Sequence, residues 1–221
     1  MAELRRSDPE PPPGPPEIQF TPGMADDLMQ ELAPFLAEDG IDVGNLEVDD
    51  LDTFQRALDR AVERRNMALF TPVGPAREIA VVTLHLVVEA ILDNETALAG
   101  AILDQVEPES PDNAVATVAS CTGIALGLLD SWLSGHDTNA PANLAQHTKL
   151  PRGHWNGERA ATDVLALASK GRAFRSLSTL IVRQGSRQLL PGSALSLAAA
   201  TDAWAKLTDT PRSDLLRTVI R

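Results

Sequence analysis

Residues 114–129 read AVATVASCTGIALGLL, sixteen positions without a charge. A membrane-spanning helix needs roughly 20 apolar residues, and runs below about 18 are more often buried core. Asp130 follows at once and no basic residues flank the run, so it reads as a helix buried in protein rather than in lipid. Gly123 and Gly127 form a G-x-x-x-G pair, which lets another helix approach closely. The expected neighbour is Ala76–Leu92, apolar nearly all round through Ile79, Val81, Val82, Leu84, Leu86, Val87, Val88, Ile91 and Leu92. A helix of that kind belongs at the centre of a bundle. The two segments, Ala76–Leu92 and Ser110–Leu133, are therefore expected to be the core helices.

Composition extends the helical reading to the whole chain. Its 221 residues include 31 alanines and 30 leucines against 14 valines and 8 isoleucines. Alanine and leucine are strong helix formers, whereas strands favour β-branched and aromatic residues. Aromatics are only 4% and there is no tyrosine. The expected fold class is all-α, a multi-helix bundle with a smaller C-terminal helical unit. One cysteine, Cys121, excludes an internal disulfide framework and a Cys-cluster zinc site. The start, MAELRRSDPEPPPG, lacks the apolar core of a signal peptide, so the expected compartment is the cytoplasm.

Charge divides the chain. Residues 1–145 hold 7 basic and 26 acidic residues, net −19, while residues 146–221 hold 12 basic and 5 acidic, net +7. Such a sign change suggests separate surfaces and separate partners, or two halves that attract each other. The expected organisation is a disordered Pro-rich tail (1–17), an acidic helical bundle (18–135), a loop-rich joint (136–155) and a basic helical unit (156–221).

Local signals place the other elements. Phe20-Thr21-Pro22 opens a helix with a cap, a first-turn proline and a staple, and Pro34 should kink or end it. A second helix, from about Asp52 to Met67, should bury Leu51, Phe54, Leu58 and Val62 and present Arg56, Asp59, Arg60, Glu63 and Arg64 as a solvated face. Phe70-Thr71-Pro72 repeats the first start signal; the helices that follow do not align, so this is a capping device used twice rather than a duplication. A shorter helix covers about Glu95 to Val106, and a short one sits at about Pro141–Thr148. A long helix runs from Glu158 to about Gln184, with a possible break at Gly171. Leu189-Leu190-Pro191-Gly192 turns the chain, Ser193 caps a helix to about Leu207, and Thr210-Pro211 starts the last one.

Three constellations are candidates for chemistry. Glu78, His85 and Glu89 lie at i, i+7 and i+11 on one stripe, where His85 and Glu89 could share a metal or a proton. A polar stripe or a hydrogen-bonded core histidine explains the same letters better, since no H-E-x-x-H pattern is present. His136, His147 and His154 fall within nineteen residues, beside Asp137 and Trp155, at spacings that match no zinc pattern. Arg172, Arg175, Arg183 and Arg187 fall within an arc of about 120° if one helix carries all four. Such a rim suits phosphate, or carboxylates of the acidic half or of a partner. The segment LALASKGRAFRSLSTLIVRQ also has a faint helix-turn-helix look, which any two helices joined at a glycine imitate. Cys121 sits in an apolar helix with no base nearby in sequence and reads as inert packing.

There is no P-loop, no dinucleotide fingerprint, no nucleophile elbow and no calcium-loop spacing. No cofactor and no metal ligand is assigned. Three functional classes remain. The leading one is a non-enzymatic cytoplasmic interaction or regulatory protein, binding a protein partner or itself through helical surfaces. The second is a nucleic-acid-associated regulator using the four arginines. The third is a helical metal-dependent enzyme or small-molecule binder built on the loop histidines.

Overall fold

The computed structural model describes residues 23–45, 51–106, 119–129, 157–168 and 173–220. The Pro-rich tail, the Phe20-Thr21-Pro22 start, the Ser110 start, Asp130, the joint at 136–155 with its three histidines, and Gly171 and Arg172 lie outside these residues. The protein is all-α. In chain order the helices are α1 (Met24–Ala37), α2 (Leu51–Phe70), α3 (Pro75–Leu92), α4 (Thr96–Val106), α5 (119–129), α6 (Glu158–Ala168), α7 (Leu177–Gln184), α8 (Ser186–Thr208) and α9 (Arg212–Val219). Short 3₁₀ turns occupy Val43–Asn45 and Phe174–Ser176.

α8 is the central helix. From Leu189 to Thr201 every residue is buried except Pro191, which is half-buried. The expected turn at 189–192 does not form; α8 runs straight through Pro191 and Gly192. A proline in a helix interior costs about 3 kcal/mol. Full burial of Leu189, Leu195 and Leu197, each worth about 1.5–3 kcal/mol, outweighs that. The chain breaks instead at Gly185, whose φ of +74° and ψ of 158° suit only glycine and separate α7 from α8.

Small residues let α8 be surrounded. α6 crosses it so closely that a β-carbon at Gly192 would lie 2.6 Å from the Ala160 β-carbon. α3 packs on another side and α9 on a third. Its buried hydroxyls are satisfied locally: Ser193 Oγ donates to the Leu189 carbonyl at 2.7 Å, and Ser196 Oγ to the Ser193 carbonyl at 2.8 Å. Ser193 Oγ also lies 3.0 Å from Thr122 Oγ1, which ties α5 to α8.

α3 and α5 join this core as expected, and Cys121 Sγ reaches the Ala80 carbonyl at 3.9 Å. Two details differ. Gly123 is needed for the end of α2, since an added β-carbon would overlap the Phe70 carbonyl, and Gly127 faces the Phe174 ring. And α3 is not buried all round. Ala80, Leu84, Val87, Val88 and Ile91 point inward, but Ile79, Val82 and Leu86 are 59%, 56% and 45% exposed. One apolar cluster thus runs from Ala80 to Ile220, crossing the joint expected at 136–155.

A second, smaller cluster lies between α1 and α2, built from Leu32, Leu36, Ala57 and Ala61. Pro34 does not end α1, which continues to Ala37. α2 is longer than expected and its burial differs in part: Leu58 and Val62 pack against this cluster as expected, but Leu51 is 77% exposed, and the fully buried positions are Ala57, Ala61 and Asn66. Ala57 and Ala61 pack there against Leu32 and Leu36 of α1.

Candidate functional site

The arginine segment is the candidate to test first, and it is not one helical face. Between Glu158 and Arg187 the chain forms α6, the 3₁₀ turn at Phe174–Ser176, α7, the break at Gly185 and the start of α8. Arg175 therefore sits in the 3₁₀ turn, Arg183 in α7 and Arg187 beyond the break. The 120° arc required a continuous helix, and Gly185 removes it.

The two arginines whose side chains are described are held by carboxylates of the same chain. Arg175 Nη1 donates to Asp59 Oδ2 at 2.8 Å. Arg183 Nη2 donates to Asp163 Oδ2 at 2.6 Å, and the Gln184 amide donates to the same oxygen. Asp163 and Arg183, with Ser176, Thr179 and Leu180, edge a depression of about 300 Å³ between α6 and α7.

The partners of Arg175 belong to a device on α2. Asp59, Glu63, Asn66 and Phe70 recur at i, i+4, i+7 and i+11, so they share one face. Glu63 accepts the backbone N–H of Phe174 at 3.0 Å and that of Arg175, which satisfies two free amides at the start of the 3₁₀ turn. Buried Asn66 donates from Nδ2 to the Phe174 carbonyl at 2.8 Å. Residues 59, 63 and 66 thus grip residues 174 and 175 from both backbone polarities and by an ion pair. The face of α2 expected to be solvated is an interface. Only the i, i+4, i+7 spacing of these polar groups could have signalled it.

The opposite edge of α2 holds α1. Arg64 Nη2 donates to Asp39 Oδ2 at 2.7 Å and Arg60 Nε to the same atom at 3.2 Å. Arg65 pairs with Glu31. Hydrogen bonding from Arg64, reinforced by Arg60, holds the Asp39 carboxyl below its ordinary range against a partial desolvation.

Among the described residues, the Glu78, His85 and Glu89 stripe and Cys121 yield no reactive cluster. Glu78 and Glu89 are exposed on α3 and His85 is half-buried between them. Among the described residues no group of three or more His, Cys, Asp or Glu side chains is placed to hold a metal. The Cys121 thiol is fully buried, and desolvation pushes its pKa from 9.0 up to about 12. A thiol in that state is neither a nucleophile nor a metal ligand at neutral pH. Among the described residues no helix is long and apolar enough to cross a membrane. Comparison with known proteins finds no match to a family model, to a curated protein or to a solved structure.

Proposed function

We propose that this chain is a cytoplasmic, non-enzymatic interaction protein that binds a protein partner through a helical surface. One observation carries the reading. α3 is apolar on two sides, and only one side has a neighbour among the described residues, because Ile79, Val82 and Leu86 stand in solvent. A contiguous apolar stripe on a soluble protein commonly marks a site of protein contact. The competing use of the arginine segment is weakened, since Arg175 and Arg183, two of its four donors, already serve Asp59 and Asp163.

The test is site-specific photocrosslinking of the full chain in its native cells, from position 82 on α3 and from position 182 on α7 as an exposed apolar control. A discrete protein adduct from position 82 and none from 182 is the expected result. The absence of any adduct from 82 overturns the reading.

A further inference from the structure

We propose that the outer face of α3 is a docking surface for a basic amphipathic helix of another protein. This rests on the interaction reading above and adds the chemistry of the occupant. Ile79, Val82 and Leu86 recur at i, i+3 and i+7, the spacing with which one helix presents a ridge to another. At about 100° per residue they span an arc of about 60°. Glu78 and Glu89 lie on one edge of that arc, both exposed. The side-chain carboxylate of neither takes part in an ion pair or hydrogen bond of the described residues.

Charge selects the partner. From Pro75 to Val106, the α3–α4 hairpin carries five exposed carboxylates, Glu78, Glu89, Asp93, Glu95 and Asp104, against one cation, Arg77. A partner helix with apolar anchors and a lysine or arginine flank satisfies stripe and rim together. A second copy of α3 does not. Antiparallel two-fold pairing through the stripe sets the glutamate edge of each copy beside that of the other, and like charges in apposition disfavour the pair; parallel pairing separates the two edges but brings no cation to either. Of the described cations of the basic half, Arg175, Arg183, Lys206 and Arg212 are already engaged by Asp59, Asp163 and Asp202.

The experiment uses the full chain and two synthetic helical peptides of equal length, with leucines at i, i+3 and i+7. One has lysine flanks and the other glutamate flanks, and binding is read by fluorescence anisotropy at two salt concentrations. The expected result is binding of the lysine-flanked peptide, weakened by added salt, with no binding of the glutamate-flanked one. The double variant Val82→Gln, Leu86→Gln should lose at least about tenfold in affinity, because the apolar contact area goes with it. The variant Glu78→Gln, Glu89→Gln should lose several-fold and show a flatter salt dependence. All four side chains are exposed, and an unchanged thermal melt confirms that both variants fold.

Equal affinity for both peptides, or binding that ignores Val82→Gln, Leu86→Gln, overturns the proposal. A dimer in light scattering that the same double variant abolishes overturns it in favour of a second copy. If neither peptide binds while position 82 still crosslinks to a protein, the basic helix is wrong and the interaction reading survives. Loss of both signals removes both.

Discussion

α8 and α3 are both helices of the apolar core, and they sit in it in opposite ways. α8 is built from alanine, serine, glycine and leucine and is enclosed for most of its length. α3 is rich in valine, isoleucine and leucine and is enclosed on one side only. The difference is one of side-chain size. A helix can have neighbours on every side only if its surface lets their backbones come near, and small residues allow that where branched ones do not. Bulk on the outside of α3 has the reverse meaning: it is surface without a described neighbour, and that is why it reads as a place for a partner.

The comparison can be broken most directly by truncating one leucine in each helix. Leu197→Ala, at a fully buried position of α8, should cost about 2–5 kcal/mol, while Leu86→Ala, on the open side of α3, should cost under about 1 kcal/mol. Denaturant melts of both variants measure the gap, and equal losses would show α3 to be covered. A finer test concerns the crossing at Gly192. Glycine to alanine inside a helix normally gains about 1 kcal/mol. Here Gly192→Ala should instead lose about 1–3 kcal/mol, because the new methyl meets Ala160. A stabilised Gly192→Ala would mean that α6 and α8 are further apart than described.

A further effect is one of pH, and it sits where α3 meets α5. The Cys121 thiol has a pKa raised from 9.0 to about 12 in the folded chain. Below pH 9 folded and unfolded chains both keep the proton, and this group adds no pH dependence. Between pH 9 and about 12 the unfolded chain gives the proton up while the folded one retains it, so stability falls as pH rises, by about 1.4 kcal/mol per unit at most. Melts across that range should show the slope in the wild type and lack it in Cys121→Ala. A slope that persists in the variant would assign it elsewhere.

Much of the architecture was legible in the letters. The surplus of alanine and leucine gave the all-α class, and the apolar period placed α3 and α4 to within a residue or so. What misled was punctuation and distance. Pro191-Gly192 looks like a turn, yet its neighbours are buried deeply enough to carry the helix through it. Leu51 and Phe54 look like core, yet the fully buried positions are Ala57 and Ala61 instead. The grip of α2 on Phe174 and Arg175 joins groups more than 100 positions apart along the chain. No local pattern encodes such a pairing; it follows from where the helices end up. The stripe on α3 was visible as hydrophobicity, but only the packing distinguishes its buried side from its open one.

The secluded cluster of Leu32, Leu36, Ala57 and Ala61 has a consequence for how the molecule comes apart. It is separate from the large core, to which α2 is tied by Glu63, Asn66 and Phe70, so the N-terminal helix pair is expected to open before the remainder, with faster hydrogen exchange in α1 than in α8. That local opening withdraws Asp59 and Glu63 from the amides and guanidinium they hold. An excursion at one end of the chain would thereby uncover a cationic turn near the other, coupling the two without any ligand.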